Sequence, residues 1–396
     1  MATALYGPDG FFVSGPGPAA HFRTSVHASP VFVSCLLRLL SSLDAALGHP
    51  ARFDVVDVGA GRGELLRSLS VAVGVSGEPA RSGRSGLIPP RAGSPETLTT
   101  TAAALVSPTA GSASVGSSPA APVPLAQRVR LVAVEKAPRP DNLPQEIEWV
   151  DEIPQSITGL LVATEWLDNV PLDIAVHTPE GWRYLLVNPA TGEESTGNPV
   201  SPEDADWLNQ WWPSPSPTAP LIKEFASEMG PESDANLLIN GAGGRGEVGR
   251  SREEAWLDAL GRLDRGLALA VDYGHLRDGR PADGTLTGYR GGRQVSPVPD
   301  GSCDVTAHVA MDSVASAGER IARCAYTLVS QREGLRALGA DGGRPPLSLA
   351  SRDPAGYLRD LAAASAVAEL TDPAGLGGHW WLLQPVGVAL DPLMAR

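Results

Sequence analysis

The chain has 396 residues and a formal net charge of −14. That charge argues against general binding to nucleic acids or to anionic membranes, which are themselves negatively charged. The three cysteines, Cys35, Cys303 and Cys324, form neither a disulfide framework nor a metal-ligand spacing. The sequence contains no run of 18 apolar residues, so it predicts no membrane span. We therefore expect a cytoplasmic protein with no metal, no nucleic-acid partner and no inserted membrane segment.

Residues 1–50 come before the first predicted strand, and we expect them to form an N-terminal segment that caps the substrate site. A Gly/Pro/aromatic stretch occupies its beginning. Apolar residues at helical spacing then predict an amphipathic helix from Ser29-Pro30 to about Leu47. Residues 51–396 are predicted to form one large α/β domain with added lobes.

The most informative stretch is the glycine-rich turn that follows the first strand. An apolar run from Phe53 leads into Gly59-x-Gly61-x-Gly63, and a helical pattern follows. Glycines allow a sharp turn and a close approach of the backbone to a ligand, and the helix N-terminus offers unpaired N–H groups. The pattern predicts a nucleotide-type cofactor at the carboxyl end of the first strand of an α/β sheet.

Asp57 indicates which cofactor this is. A dinucleotide fingerprint would read G-x-G-x-x-G, whereas the third glycine here comes one residue early. Asp57 would also repel a pyrophosphate, but it suits the sulfonium and ammonium charges of S-adenosylmethionine (SAM). We therefore predict that Asp57, Gly59, Gly61 and Gly63 bind SAM. A NAD site and a purely structural strand–helix turn remain the alternatives.

A second cofactor anchor is predicted at Glu135. An acid that binds the ribose hydroxyls normally follows the glycines by about 20 residues. Residues 76–124 consist almost entirely of Gly, Ser, Pro, Ala, Thr and Arg, which predicts a disordered insert. Without that insert, Glu135 follows the second strand at the expected distance. Asp151, after a short apolar element, is a further candidate for cofactor binding.

The acidic pair Glu165 and Asp168 is the candidate for the catalytic site. It follows the strand Gly159–Thr164, and the carboxyl ends of parallel strands are where α/β enzymes place their chemistry. Acids three residues apart in a helical turn point to one side. Such a pair can hold a guanidinium by bidentate hydrogen bonds, or accept a proton. The alternative is structural, with Asp168 capping a turn and Glu165 pairing with an arginine.

An inserted lobe is predicted over about 173–250. It begins with an antiparallel hairpin around Pro179-Glu-Gly. Two helices, at about 202–212 and 218–229, and a flexible stretch at 240–249 complete it. A helix at about 252–264 and a buried strand from Gly266 are expected next.

Asp272, Tyr273 and His308 are the candidates for substrate binding. Asp272 and Tyr273 end a buried strand, which brings them to the same sheet edge as the glycine turn. Asp304 and His308 would share one face if Asp304 capped a helix start. A strand-end turn is the alternative for the first two residues.

In this order, the segments resemble the MidA-like family of SAM-dependent methyltransferases, relatives of the mitochondrial complex I assembly protein arginine methyltransferase. The segments are Val56–Gly63, Thr164–Pro171, Asp272–Gly274, Gly284–Tyr289 and Asp304–Val309. The stretch Thr24–Phe32 is also similar to the family's opening segment. Two positions depart from the family pattern: Thr164 replaces an Asn, and Asn169 replaces an Ala.

The resemblance implies a class I (Rossmann-like) methyltransferase fold that binds SAM and methylates a protein, with Glu165 and Asp168 facing an arginine. Two alternatives to this function remain open at this point. One is a non-catalytic SAM-binding assembly or scaffold protein, and the other is a NAD-linked oxidoreductase.

Overall fold

The structure is a computed structural model that describes residues 1–14, 25, 30–75, 122–189, 191–212, 244–323 and 325–390. The sixteen strands of this part, in chain order, are β1 (Phe53–Val58), β2 (Val129–Val134), β3 (Ile147–Val150), β4 (Ile157–Thr164), β5 (Asp173–Thr178), β6 (Gly181–Val187), β7 (Glu194–Pro199), β8 (Arg245–Val248), β9 (Leu263–Asp272), β10 (Gly274–His275), β11 (Thr287–Arg290), β12 (Arg293–Val295), β13 (Asp304–Thr306), β14 (Val309–Ala310), β15 (Thr327–Ser330) and β16 (Trp380–Val386).

The α-helices described over the same residues are α1 (Ala2–Tyr6), α2 (Phe11–Ser14), α3 (Pro30–Ala46), α4 (Glu64–Val73), α5 (Pro202–Trp211), α6 (Arg250–Gly261), α7 (Met311–Ala322), α8 (Gln331–Ala337), α9 (Leu347–Arg352) and α10 (Pro354–Leu370). The predicted helix from Pro30 is confirmed as α3. The insert at 76–124 and the second lobe helix at 218–229 lie largely or wholly outside the described residues. None of the described helices is long and apolar enough to cross a membrane.

A seven-stranded sheet forms the centre of the fold, with the order β3-β2-β1-β4-β9-β16-β15. The pairs from β3 to β9 are parallel, and β16 runs antiparallel to both β9 and β15. The predicted α/β class is therefore confirmed, and the sheet is the one that the class I methyltransferase resemblance implies. Because the order reverses between β1 and β4, the carboxyl ends of these strands leave a crevice for a ligand.

Helices cover both faces of this sheet. All six residues of β1 are buried, as expected of a central parallel strand. Val55 packs on the face covered by α3 and α4, while Val56 contributes to the core on the opposite face with Trp256 of α6 and Val314 of α7. Two apolar cores therefore hold the central strands in place, so that their carboxyl ends form a rigid edge.

The inserted segment from 173 forms a separate four-stranded antiparallel sheet with the order β7-β6-β5-β8. The predicted hairpin is confirmed by the antiparallel pairing of β5 with β6. Its core contains Trp182, Trp207 and Trp212. The prediction of a flexible stretch at 240–249 is wrong for Arg245–Val248, because these residues pair with β5 as β8.

Three further strands form a small sheet with the order β12-β11-β13. The prediction of a helix start at Asp304 is wrong: Asp304–Thr306 is β13 and pairs antiparallel with β11. Successive strand residues point to opposite faces, so Asp304 shares a face with Thr306. The helix predicted at 252–264 begins at Arg250 and ends at Gly261, because β9 starts at Leu263.

Candidate active site

A cleft of about 1480 Å³ opens at the carboxyl ends of the parallel strands. Nine of the eleven predicted site residues line it: Asp57, Gly59, Gly61, Glu135, Asp151, Glu165, Asp168, Tyr273 and His308. Gly63 and Asp272 do not belong to the lining. Among the residues that the structure describes, nine carboxylate residues line the cleft against three Arg or Lys residues, so that the cleft favours a cation.

The glycine turn has the backbone conformation that the sequence predicts. Gly59, Gly61 and Gly63 have φ values of +73°, +60° and +78°, a region that side chains rarely adopt. A Cβ at Gly59 would lie 2.9 Å from Trp166 Cδ1, and a Cβ at Gly63 would lie 2.6 Å from Leu143 Cδ1. At Gly61 the nearest atom would be 3.5 Å away, so that position requires glycine for its φ value alone. Gly63 precedes α4 directly and thus places a helix N-terminus beside the turn.

Glu135 lies against this turn although 74 residues separate it from Gly61. The backbone N–H of Gly61 donates to Glu135 Oε2 at 3.0 Å. Glu135 Oε1 accepts from the backbone N–H groups of Lys136 at 2.7 Å and Ala137 at 3.1 Å. Because β1 and β2 pair in parallel, the strand ends meet, and the carboxylate is held where it can reach a ribose diol.

Asp57 supplies a buried negative charge at the base of the turn. Its side chain is 2% exposed, and its Oδ1 atom has no hydrogen-bond partner among the described residues. Burial raises the pKa of this carboxyl well above its usual value, and Glu64 and Glu135 add to the shift. A cation at this place would lower the cost of the ionised form.

These observations fit SAM. Asp57 and Glu135 present carboxylate oxygens for the ammonium group and the ribose hydroxyls of SAM. The glycine turn leaves room for the part of the cofactor that lies against the protein backbone. A pyrophosphate would instead face two carboxylates, and a buried oxygen of Asp57 has no partner among the described residues to offset the repulsion. Asp57, Gly59, Gly61, Gly63 and Glu135 are thus the residues that would hold the cofactor. Asp151 lines the same cleft.

The acidic pair follows β4 in a strained turn. Glu165 has φ +52°, which is uncommon for a residue other than glycine, and its N–H donates to the carbonyl of Val271 at 2.8 Å. A 3₁₀ turn at Leu167–Asn169 follows. Strain of this kind persists only where the surrounding structure holds it, and it is concentrated at functional sites.

Asp272 holds this turn from behind. Its Oδ2 accepts from the backbone N–H groups of Leu167 at 3.0 Å and Asp168 at 3.3 Å. The side chain is 1% exposed and lies outside the lining of the cleft. In the structure, Asp272 therefore orients the acidic pair, in contrast to the substrate contact that we predicted for it.

Asp168 is at the centre of a buried hydrogen-bond network. Its Oδ2 accepts from Thr306 Oγ1 at 2.6 Å and from the Tyr273 hydroxyl, and these two hydroxyls are 2.8 Å apart. Its Oδ1 is buried without a partner among the described residues. Burial raises the pKa of Asp168, and the bonds from Thr306 and Tyr273 oppose that rise. One oxygen is thus fixed in position, while the other is buried with no hydrogen bond among the described residues.

Asp304 adds a third carboxylate to the pair. Asn169 Nδ2 donates to Asp304 Oδ1 at 2.9 Å. Burial, followed by the charges of Asp168 and Glu165, raises the pKa of Asp304 to about 8. Three acids crowded in a buried cluster repel one another, and a bound cation would relieve that repulsion.

Sequence reasoning missed several residues of the site. Arg252 of α6 is 1% exposed and donates to the backbone carbonyls of Asp168 at 2.6 Å, His308 at 2.8 Å and Val170 at 3.3 Å. His379 and the predicted His308 flank the Tyr273 ring, with centroid distances of 5.5 and 5.2 Å. No sequence signal distinguishes Arg252 from the other arginines, because its partners are 56 to 84 positions away.

Comparisons with known proteins bear on the family and the fold of this chain. A family model described as "Putative S-adenosyl-L-methionine-dependent methyltransferase" matches residues 115–329. This range is more than half of the chain and contains the acidic pair, although it begins after the glycine turn. No curated protein matches the chain.

Two crystal structures from Burkholderia thailandensis have a similar fold. The first, of a superfamily member bound to S-adenosyl-homocysteine, is 20% identical with a TM-score of 0.62, and the match covers 94% of this chain and 81% of that one. The second, a native structure of an uncharacterized protein of the same superfamily, is 20% identical with a TM-score of 0.64, covering 100% and 88%. These matches agree with the MidA-like resemblance and with the class I sheet. The chain belongs to the family of SAM-dependent methyltransferases that the matching model describes.

Proposed function

We propose that this SAM-dependent methyltransferase transfers its methyl group to an arginine side chain of a protein substrate. The observation that carries the proposal is the cluster of Glu165, Asp168 and Asp304, which lines the same cleft as the glycine turn. A guanidinium is always charged and planar, and it offers five donors in a fork that matches carboxylates. Asp168 Oδ1 has no hydrogen-bond partner in the described part of the chain, which supports such an acceptor.

The charge of the cluster favours a cation of this kind over a neutral acceptor. The pKa of Asp304 is raised to about 8, and that of Asp168 is raised as well. Without a bound cation Asp304 therefore retains a proton near neutral pH, and a guanidinium would displace it. A neutral hydroxyl or thiol would leave the same repulsion uncompensated.

The residues of the chain position the acceptor and remove its proton. Bound SAM supplies an electrophilic methyl group. Glu165 and Asp168 would hold the guanidinium by charge-assisted hydrogen bonds, with one nitrogen directed toward the cofactor half of the cleft. As that nitrogen gains the methyl group it releases a proton, and a carboxylate of the pair accepts it. Tyr273 and Thr306 keep Asp168 in place throughout.

The family resemblance supports a protein as the carrier of the arginine, because the MidA-like relatives act on protein substrates. The two departures from the family pattern fall at the acceptor site. Asn169 holds Asp304 by a hydrogen bond, and Thr164 lines the cleft. We infer that these positions adjust the acceptor site while the acidic pair retains its role.

The test uses methyl-labelled SAM and an array of arginine-containing peptides, together with the same peptides in which lysine replaces each arginine. We expect label on the arginine peptides, recovered as methylarginine after hydrolysis. Glu165→Gln and Asp168→Asn should each lower the rate at least a hundredfold, while S-adenosylhomocysteine binding is unchanged within about twofold. Glu180→Gln, in the exposed turn of the β5–β6 hairpin, is the matched control and should retain the wild-type rate.

Two results would contradict the proposal. One is equal labelling of the lysine peptides, which would show that the acceptor is not a guanidinium. The other is a wild-type rate in both acidic variants on a confirmed arginine substrate, which would remove the role of the pair.

A further inference from the structure

The N-terminal helices form part of the wall of the cleft. Leu5 of α1 and Phe11 of α2 are buried in a cluster with Cys303 and Val305. The N-terminal segment is in close contact with the chain just before Cys303, because a Cβ at Gly301 would lie 2.6 Å from the backbone oxygen of Asp9. The first fourteen residues are therefore anchored beside β13, the strand that carries Asp304.

This anchoring brings Tyr6 to the acceptor site. Tyr6 lines the cleft, and its hydroxyl donates to the backbone carbonyl of Asn169 at 3.3 Å. Its ring stacks on Phe12 with a centroid distance of 5.6 Å and an interplanar angle of 28°. The residue that accepts its hydrogen bond also holds Asp304 through the Asn169 side chain.

The electrostatic surroundings of Tyr6 place it between the two halves of the cleft. Burial raises the pKa of its hydroxyl, and the charges of Asp168, Glu135 and Asp304 raise it further. Glu135 belongs to the cofactor half, whereas Asp168 and Asp304 belong to the acceptor half. An aromatic ring at this junction adjoins the position that an acceptor must occupy.

We propose that Tyr6 is a specificity-determining residue, which makes the acceptor site prefer a planar guanidinium over an ammonium group. The inference rests on the proposed function and deepens it. Carboxylates alone attract both cations, but a guanidinium stacks on an aromatic face and is more weakly hydrated than an ammonium. The ring therefore supplies the discrimination that the acidic cluster lacks.

The test measures binding to the full chain saturated with S-adenosylhomocysteine. The probes are N-acetyl-L-arginine amide and N-acetyl-L-lysine amide, and calorimetry gives their dissociation constants. We expect the wild type to bind the arginine probe more tightly than the lysine probe. Tyr6→Leu should weaken the binding of the arginine probe by about three- to thirtyfold and the binding of the lysine probe much less. Tyr6→Phe keeps the ring but loses the bond to Asn169, so this matched variant should retain the preference.

The outcomes separate this inference from the proposed function. If Tyr6→Leu bound the arginine probe as tightly as the wild type, the role of Tyr6 would be overturned while the proposed function stood. If the wild type bound neither probe, or if Glu165→Gln bound the arginine probe equally well, the proposed function itself would fail. Binding of S-adenosylhomocysteine checks the fold of each variant. If Tyr6→Leu no longer binds S-adenosylhomocysteine, the flexible side chain of Tyr6→Met is tested in its place, with the same expected result for both probes.

Discussion

Adding a single methyl group at Gly59 should weaken cofactor binding through Trp166. Gly59→Ala places a Cβ at φ +73°, 2.9 Å from Trp166 Cδ1 and 3.2 Å from Trp166 Cβ. These atoms are close to the backbone of Trp166, so the side chain cannot swing its far end away. The backbone at Trp166 must shift, and it adjoins Glu165 and the Leu167–Asn169 turn.

Gly74→Ala is the matched control for this substitution. Gly74 has φ +86°, and a Cβ there would meet no atom of the described residues within 4 Å. Both variants carry the cost of an alanine in the left-handed region, which is about 1–2 kcal/mol of unfolding free energy. The unfolding midpoint should therefore fall by a few degrees in each. Only Gly59→Ala adds the displacement of Trp166 at the cleft.

The assay is calorimetric titration with S-adenosylhomocysteine. We expect Gly74→Ala to bind within about twofold of the wild type. Gly59→Ala should bind at least ~10-fold more weakly, which corresponds to about 1.4 kcal/mol. Equal affinities in the two variants would refute the reasoning, because the turn would then tolerate the contact with Trp166.

Three further predictions concern the acids and the buried arginine. Arg252→Lys should lower the unfolding free energy by about 3 kcal/mol in urea titrations, because an ammonium cannot reach all three carbonyls; an unchanged midpoint would contradict this. Glu135→Gln should weaken the binding of S-adenosylhomocysteine at least ~10-fold, whereas the exposed control Glu148→Gln should leave it unchanged. Equal affinities of the two variants for S-adenosylhomocysteine would show that Glu135 does not bind the cofactor. The pKa of Asp304 is raised to about 8 from 3.8, so its contribution to stability is present below about pH 4 and is lost as the pH rises toward 8. Over that range the stability of the wild type should therefore fall more steeply than the stability of Asp304→Asn. The affinity of the wild type for the arginine probe should rise over the same range. Parallel pH profiles of stability in the two proteins would show that Asp304 does not titrate there.

The parts that could be predicted from sequence are those encoded by local pattern. The apolar run of β1 and the three glycines after it predict a buried strand and a sharp turn, and the positive φ values of that turn are ones that glycine adopts without strain. Glu135 could be predicted across the insert, since it follows directly on the next buried run. The acidic pair could be predicted as well, because Glu165 comes directly after the strand that β1 pairs with.

The secondary structure of short or ambiguous segments depends on the strands with which they pair. Asp304–Thr306 has three residues, too few to show a period, and its pairing with β11 makes it a strand. The glycines around Arg245–Val248 predict a flexible segment, but these residues form a strand because they pair with the open edge of β5. Asp272 was predicted from its position at a strand end, which does not show whether a side chain points into the cleft or behind it.

The sequence alone thus favoured SAM over NAD and predicted the sheet edge at which the cofactor binds, because the glycine turn and Asp57 are neighbouring residues. The tertiary structure alone placed Arg252, Thr306, His379 and Tyr6 around the acidic pair. Tyr6 is bonded to a residue 163 positions away, and Thr306 to one 138 positions away. Contacts at such separations arise when the strands and lobes pack together, and no local spacing encodes them.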